Sequence, residues 1–266
     1  MNHIYIIMRI AMYFSGRING YENCYKKLLE FKNANDVVFF CSLNYDALNE
    51  YHKAFMQELG ISDSQLHYEA VSCPDWIHSF SSYGRNVQRE YMYSHFYNNH
   101  KCFQLIEEYE KEHNIQFDCI VKYRADIESD TVFEVKSVLD DNTVYVPSEY
   151  DHSGLNDQIA YGKRDVMRIY SSLINNIQQF CTNDDTPYHP ETLVLKNMEY
   201  HSIRIERFPF EYTLNINRYV SHTKDILHST DFIPISSFSQ IGQDVNVLSM
   251  DSNEEESLWT LVPTQV

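Results

Sequence analysis

The sequence of 266 residues has little of what marks several large classes of protein. Only seven glycines and seven prolines are present, which excludes a collagen-like or low-complexity chain. The six cysteines are scattered and form no Cys-x-x-Cys pair, so a zinc site has little support and we expect reduced thiols in a cytoplasmic protein. No apolar stretch approaches the length of a membrane span.

Positive charge is also scarce. The sequence has 21 Lys and Arg against 38 Asp and Glu, which gives a formal net charge of −17. Such a field repels phosphate backbones and anionic membrane surfaces, so we expect no nucleic-acid partner. A small phosphate-bearing ligand needs local compensation, from a divalent metal ion, a few Arg or Lys side chains, or backbone N–H groups.

Several motifs of well-known enzymes are missing. The sequence contains no Gly-x-Ser-x-Gly elbow, no Walker loop and no Gly-x-Gly-x-x-Gly, which argues against lipase, kinase and dinucleotide-binding functions. The apolar start, from Met1 to Phe14, is interrupted by Arg9 and is followed by no small-residue cleavage site. We therefore expect a first β-strand there instead of a signal peptide.

Apolar runs typical of strands alternate along the chain with segments of helical periodicity. The predicted strands are Ile10–Phe14, Val37–Cys41, Leu66–Val71, Phe117–Tyr123, Thr143–Pro147 and Ile203–Phe208, and the predicted helices are Tyr21–Lys32, Leu43–Leu59, Tyr91–His113 and Val166–Phe180. This alternation predicts an α/β domain with a mixed, mostly parallel sheet covered by helices on both faces. We expect one domain over residues 1–228 and an irregular acidic tail over 229–266.

Three polar segments directly follow predicted strands, where ligands of open α/β sheets bind. Ser15-Gly16-Arg17 combines a residue that permits close backbone approach with a phosphate-binding side chain, or is a simple turn. In Arg124-Ala125-Asp126, Asp126 suits a divalent cation and Arg124 a phosphate; the alternative is an ion pair that closes the sheet end.

The third segment is Gly154-Leu155-Asn156-Asp157-Gln158, which offers three consecutive hydrogen-bonding side chains for sugar hydroxyls. Asp157 could act as a base or as a carboxylate near an anomeric carbon, or the segment could be an Asx-type turn. Two weaker candidates follow: His189-Pro190-Glu191, which also fits a helix start, and His222, a metal or phosphate ligand or a structural histidine.

These motifs, in this order, resemble those of nucleotide-sugar glycosyltransferases of the GT-A fold. The resemblance is carried by Ser-Gly-Arg after the first strand, by Phe-Asp-Cys-Ile-Val-Lys-Tyr-Arg-Ala-Asp-Ile, by Asn-Asp-Gln-Ile-Ala-Tyr-Gly and by His-Pro-Glu. It spans about residues 8–218 and is closest to members from large DNA viruses and surface-polysaccharide gene clusters. It implies a single Rossmann-like domain.

The resemblance also implies roles for particular residues. Ser15, Gly16 and Arg17 would lie against the nucleotide, and Arg124 and Asp126 would face the diphosphate. Asp126 would hold Mn²⁺ or Mg²⁺, although Arg124 stands where the family's Asp-x-Asp motif has its first acid. Asp157 and Gln158 resemble an Asp-Gln pair near the reaction centre of retaining members. The implied partners are a nucleotide-sugar donor and a glycan acceptor.

Two other functions fit the same residues. A nucleotide- or sugar-binding protein without transferase activity would explain the missing first acid. A glycoside hydrolase would use Asp126 and Asp157 as paired carboxylates.

Overall fold

The computed structural model describes residues 8–18, 20–21, 24–80 and 89–214. All of them lie within one compact unit, Met1–Arg218. The predicted boundary at residue 228, the acidic tail and His222 lie outside the described residues, so these expectations stay predictions.

The described residues form nine strands and six α-helices. The strands are Arg9–Gly16 (β1), Asp36–Leu43 (β2), Leu66–Tyr68 (β3), Cys119–Tyr123 (β4), Ile127–Glu128 (β5), Thr143–Pro147 (β6), Ile159–Gly162 (β7), Arg204–Phe208 (β8) and Thr213–Leu214 (β9). The helices are Tyr25–Ala34 (α1), Glu50–Leu59 (α2), Arg89–His113 (α3), Arg164–Ser171 (α4), Ile177–Asn183 (α5) and Pro190–Tyr200 (α6). None of these helices combines the length and apolarity that a membrane crossing requires.

Seven of the strands form one sheet in the order β3-β2-β1-β4-β7-β6-β8. Neighbouring strands run parallel except that β7 is antiparallel to both β4 and β6. The strands β5 and β9 form a separate antiparallel pair. The predicted fold class, a mixed and mostly parallel sheet flanked by helices, is confirmed.

The sheet is buried on both faces because its central strands are apolar on both. In β1, Met12 and Phe14 belong to the core on one face, whereas Ala11 and Tyr13 belong to the core on the other. The first face packs against α1 and α2, and the second against α3, α4, α5 and α6. A near-continuous apolar strand covered on both sides is the pattern expected of a parallel sheet.

Local signals fix where several helices begin and end. Asn49 caps α2 through its side chain, and Gly60 ends the helix in the left-handed conformation, with φ of 70°. Pro190 is the first residue of α6, so His189-Pro190-Glu191 is the helix start that the sequence offered as one interpretation. The helix predicted over Leu43–Leu59 begins later, at Glu50, because β2 continues through Leu43.

The helix predicted over Val166–Phe180 is two helices. After α4, Ser172 leaves helical geometry (φ −90°, ψ 11°), and a 3-10 turn over Leu173–Asn175 leads to α5. The apolar residues keep their helical spacing through the turn because they still face the same core. The strand β7 is absent from the prediction, so residues 154–158 lead into a strand and not directly into a helix.

Gly154 lies where the segment before β7 contacts the start of α6. A Cβ atom at this position would lie 2.1 Å from the carbonyl carbon and 2.3 Å from the carbonyl oxygen of Glu191. The same carbonyl accepts a hydrogen bond of 2.9 Å from the N–H of Leu155. Glycine is therefore required for the backbone of this segment to approach the helix.

We expect Gly154→Ala to lower the free energy of unfolding by about 1–3 kcal/mol, the range for overpacking a tight site. Gly16→Ala is the comparator, because it introduces only backbone strain at φ of 86° and meets no atom within 4 Å. Urea unfolding of the two variants measures the difference. Equal losses would contradict the tight contact at Gly154.

Candidate functional site

The topology brings two of the predicted segments to one edge of the sheet. Arg124-Ala125-Asp126 follows β4 at its carboxyl end. Since β7 is antiparallel to β4 and pairs Ile159 with Tyr123, the residues before β7 lie at that same edge. Gln158 and Asp157 therefore lie at the edge of the sheet where Arg124 follows β4, and the strand that places them there was not predicted.

A row of polar side chains continues this edge on the face covered by α3. The register of the parallel strands pairs Ser15 of β1 with Ser42 of β2, and Tyr13 with Lys122 of β4. The hydroxyls of Ser15 and Ser42 bond to Asn99 (2.6 Å) and Asn98 (2.7 Å) of α3. The last positions of β1 and β2 that face α3 are thus polar, and the side-chain amides of Asn98 and Asn99 on α3 accept their hydrogen bonds.

Lys122 carries a positive charge in the middle of a fully buried strand. Its ammonium group donates to the backbone carbonyls of Asp157 and of Gln158, the latter at 3.2 Å. Burial lowers the pKa of Lys122 to about 8, and Asp157, Asp126 and Glu191 oppose that shift while Arg124 adds to it. The buried ammonium is compensated by carbonyl oxygens and nearby carboxylates, as a buried charge must be.

Asp157 lies at the centre of a polar cluster. We use this name for the side chains at the carboxyl edge of the sheet that contact one another or interact electrostatically with Asp157: Ser15, His95, Asn99, Lys122, Arg124, Asp126, Asp157 and Gln158. Its side chain is about 10% exposed, and Oδ2 lies 3.4 Å from Nε2 of His95 on α3. Burial alone raises the pKa of Asp157, but Lys122, His95 and Arg124 together outweigh it and leave the pKa below its usual value. The carboxylate therefore stays ionised at neutral pH.

His95 lies between this carboxylate and the side chains at the carboxyl end of β1. Burial, together with Lys122 and Arg124, lowers the pKa of His95 to about 3 against the opposing effect of Asp157, so the imidazole is neutral at neutral pH. Its Nε2 also lies 3.2 Å from the amide nitrogen of Asn99, whose oxygen accepts from Ser15. A neutral ring nitrogen makes only one of these two hydrogen bonds at a time, because Nε2 donates to Asp157 in one tautomer and accepts from Asn99 in the other. Ser15, Asn99, His95 and Asp157 thus lie in one series of close polar contacts, in which the tautomer of His95 decides which neighbour it bonds.

Arg124 and Asp126 form a two-point ion pair. Arg124 donates from Nε to Oδ1 at 2.9 Å and from Nη2 to Oδ2 at 2.8 Å. The two side chains share a face because Ala125 between them is buried in the core on the other face. Burial lowers the pKa of Arg124, but Asp126 more than offsets this and the pKa lies above its usual value.

This pairing bears on the divalent metal ion expected at Asp126. Both carboxylate oxygens already accept from the guanidinium group, and the described residues contain no group of three His, Cys, Asp or Glu side chains placed to hold a metal ion. The described side chains therefore do not fit a metal ion as they stand. The other expected ligand, His222, lies outside the described residues, so the metal site stays a prediction.

Asn156 has a structural role and not the sugar-binding role expected of it. Its Oδ1 accepts from the N–H of Gln158 at 2.8 Å, which is the Asx-type turn that the sequence offered as the alternative. Its Nδ2 donates to the carbonyl of Glu149 and to the hydroxyl of Tyr212. The side chain is fully buried and has no group left for a ligand.

Two buried polar atoms near Asp157 have no hydrogen-bond partner among the described residues. They are Oε1 of Gln158 and the hydroxyl of Tyr170, whose pKa is raised by burial and by Asp157. Buried polar atoms without a partner are rare and costly, and they often mark a place that a water molecule or a ligand completes. Gln158 thus remains a candidate beside Asp157.

Gly16 is the last residue of β1, and Arg17 follows it. The carbonyl of Gly16 accepts from the N–H of Asn44, and its φ of 86° is one that glycine adopts readily. The guanidinium carbon of Arg17 lies 4.4 Å from the ring centroid of Tyr91, at the start of α3. Arg17 thus projects toward the amino end of α3, away from the contacts that Ser15 makes.

Three of the cluster's side chains were not singled out from the sequence. Lys122 is a charged residue inside an apolar predicted strand, and this pattern in the sequence could have indicated a buried charge that needs partners. His95 and Asn99 are four residues apart and so share a face of α3, but helical spacing alone does not say that this face meets Asp157 and Ser15. Their roles depend on packing between elements far apart in sequence.

A separate cavity of about 580 Å³ lies at the opposite, amino edge of β1 and β4. Met8, Phe117 and Leu139 line it together with Lys163 and Arg164. These two cations are already paired with Asp141 and Glu110. The cavity contains none of the cluster's residues.

Together the sheet and its polar edge define an α/β protein with a cluster of buried polar and charged side chains at the carboxyl ends of β1 and β4. Residues 80–241, more than half of the chain, match the family model "Domain of unknown function (DUF7796)". The chain belongs to this family. No curated protein matches it significantly in sequence.

Two solved structures resemble it distantly. A mannosyltransferase from Pyrobaculum calidifontis, in complex with GDP-mannose and Mn²⁺, is 9% identical with a TM-score of 0.42 over 77% of this chain. The match spans 56% of that enzyme's length, a little over half. The galactosyltransferase LgtC, in complex with donor and acceptor sugar analogues, is 10% identical with a TM-score of 0.42 over 71% of this chain and 70% of its own.

The buried neutral His95 predicts a loss of stability in acid. In the unfolded chain a histidine binds a proton near pH 6.5, whereas folded His95 does so only near pH 3. Between these values the unfolded state binds more protons, so the free energy of unfolding should fall by about 1–2 kcal/mol from pH 6.5 to pH 5. Urea unfolding at a series of pH values measures this slope.

We expect His95→Gln to reduce the dependence of the free energy of unfolding on pH. The control is His201→Gln, which replaces an exposed histidine just after α6 and should leave that dependence unchanged. A wild-type slope in His95→Gln would show that His95 titrates normally in the folded protein.

Proposed function

We propose that the protein is a glycosyltransferase that transfers a sugar from a nucleoside diphosphate sugar to a hydroxyl group of a glycan or another acceptor. One observation carries the proposal: the polar series Ser15–Asn99–His95–Asp157 joins the carboxyl end of β1 to an ionised carboxylate next to Arg124. A phosphate-binding side chain and a carboxylate at one strand edge suit a reaction that cleaves a sugar–phosphate bond.

The proposal divides the site between the two halves of the donor. Ser15, Gly16 and Arg17 would lie along the nucleotide, because they stand at the carboxyl end of β1 and include one cation. Arg124 would meet the diphosphate, and Asp157 and Gln158 would face the sugar. Within such a division, Gln158 Oε1, which has no partner among the described residues, is an acceptor for a sugar hydroxyl.

In the reaction, the bond between the anomeric carbon and the diphosphate oxygen breaks, and a bond to the acceptor oxygen forms. The acceptor hydroxyl loses its proton, and the nucleoside diphosphate leaves with the electron pair of the broken bond. Negative charge therefore grows on the diphosphate, and positive charge grows on the sugar ring. A cation beside the diphosphate and an anion beside the ring stabilise that distribution.

The ionised state of Asp157 bears on its role. A general base works best when its pKa lies near the working pH, and the pKa of Asp157 is below its usual value. We therefore assign Asp157 to stabilising the charge on the ring, with proton removal as its lesser role. The stereochemistry of transfer does not follow from this assignment.

Of the two other functions, the glycoside hydrolase loses support. It needs one carboxyl group that is protonated at working pH. Asp126 is held by two hydrogen bonds from Arg124, and the pKa of Asp157 is lowered, so neither suits the acid. A nucleotide-binding protein without transferase activity would share the donor site and differ only in turnover.

The diphosphate's charge could be compensated in two ways within this proposal. One is the Mn²⁺ or Mg²⁺ ion expected at Asp126 from the sequence, and the other is the guanidinium group of Arg124. The choice affects the chemistry of donor binding and not the class of reaction.

We expect nucleoside diphosphates to stabilise the folded protein. A ligand at about 100 times its Kd adds about 2.7 kcal/mol to the free energy of unfolding, which for a chain of this size is roughly 5–10 °C in Tm. Thermal unfolding with uridine, guanosine and thymidine diphosphates, with and without MnCl2, measures the shift. No shift with any of them would count against a nucleotide-sugar donor.

We expect Asp157→Asn to lower the turnover rate by about 10²-fold or more, and to change the donor Kd by less than about threefold. The substitution keeps the size of the side chain and removes the charge that acts on the reacting centre. A transfer assay beside calorimetry of donor binding separates the two quantities. Asp141→Asn, at an exposed aspartate on the opposite edge, is the matched control.

Equal losses of turnover and of donor affinity in Asp157→Asn would show that Asp157 binds the donor and does not act on the transition state. A variant that binds the donor normally and unfolds more easily, with normal turnover per folded molecule, would make Asp157 a turn residue only.

A further inference from the structure

The carboxylate of Asp126 is fully engaged by a cation that belongs to the chain. Both of its oxygens accept from Arg124, at 2.9 and 2.8 Å, in the planar two-point arrangement that guanidinium and carboxylate groups favour. The Asp126 side chain is only about 9% exposed. A divalent metal ion at this carboxylate would first have to displace the guanidinium group.

The charges around this pair also oppose a metal ion. Lys122 is buried close enough to Asp126, Asp157 and Arg124 to interact electrostatically with all three. A divalent cation would stand beside two fixed positive charges in a poorly solvated region, where repulsion is strong. Among the side chains that the structure describes, no cluster of three ligands offsets that repulsion.

Arg124 itself retains donors for an anion. Asp126 uses Nε–H and one N–H of Nη2, and no partner of Nη1 is found among the described residues. The side chain is about 24% exposed, so part of the guanidinium group reaches solvent. Its orientation is fixed by Asp126, which leaves the remaining N–H groups pre-arranged for two phosphate oxygens.

We propose that Arg124, oriented by Asp126, takes the place of a divalent metal ion in binding the diphosphate of the donor. This inference rests on the proposed function and specifies how that donor is bound. Asp126 is then a positioning residue for Arg124, and nucleotide binding does not require a metal ion. No covalent step is involved, since the guanidinium group only donates hydrogen bonds to phosphate oxygens.

Calorimetry on the full chain tests the inference with uridine, guanosine and thymidine diphosphates, each in excess EDTA and in excess MnCl2. We expect at least one of them to bind with Kd values that agree within about twofold between the two conditions. Binding that disappears in EDTA and returns with MnCl2 would overturn the inference and leave the transferase proposal intact. Absence of binding in both conditions would overturn both.

Two substitutions separate the roles of the pair. Arg124→Lys keeps the charge and loses the planar fork, so we expect the Kd to rise about tenfold or more in EDTA and in MnCl2 alike. Asp126→Asn weakens the hold on Arg124, so its smaller loss of affinity should also be the same in both conditions. A loss in Asp126→Asn that is confined to MnCl2 would make Asp126 a metal ligand and overturn the inference.

Arg164→Gln is the matched control. Arg164 pairs with Glu110 at 2.7 Å and with Glu107 at 3.0 Å, and it lines the cavity at the opposite edge of the sheet. It should lose stability like any broken ion pair and bind nucleotide normally. Thermal unfolding of each variant confirms that the compared proteins are folded.

Discussion

The positive charge of Lys122, buried in the middle of the apolar strand β4, governs the arrangement of the candidate site. The ammonium group of Lys122 is stable in the interior only where oxygen atoms replace its water. Those oxygens are the carbonyls of Asp157 and Gln158, so the charge itself ties the start of β7 to β4. The same charge lies near the carboxylate of Asp157 and keeps it ionised. One side chain thus connects the strand pairing to the electrostatics of the site.

The helix α3 supplies hydrogen-bond partners for the polar side chains at the carboxyl edge of the sheet. Parallel strands that end at one edge leave polar groups there that need partners. The helix supplies them with Asn98, Asn99 and His95, while the rest of its inward face is apolar and packs on β1 and β2. The neutral state of His95 follows from this position, because a third buried cation beside Lys122 and Arg124 would be too costly. Packing of the helix therefore sets the protonation state of the site.

Much of this arrangement follows from the sequence, and the rest depends on packing. The apolar runs that form β1 and β4 were predicted from the sequence, and Arg124 follows β4 as expected, whereas β1 continues through Ser15 and Gly16. The strand β7 was not predicted, because its four residues are all buried and show no alternation of apolar and polar side chains. The break between α4 and α5 was not predicted, because the apolar residues keep their helical spacing through the turn that joins the two helices. The roles of His95 and Asn99 were not predicted, because contacts between residues 60 or more positions apart produce no periodic pattern in the sequence.

The overall charge of −17 sharpens the question of how such a protein would hold a diphosphate. A net negative field repels an anion at long range, but at contact distance the nearest groups dominate because water and salt screen the distant ones. At this edge of the sheet the positive charges of Lys122 and Arg124 stand beside the carboxylates of Asp126 and Asp157, and all four are poorly solvated, which strengthens their fields. Their own carboxylate partners hold them in place without removing all of their hydrogen-bond donors. An acidic chain can thus place two cationic side chains at the carboxyl edge of its sheet, each held by carboxylate or carbonyl oxygens.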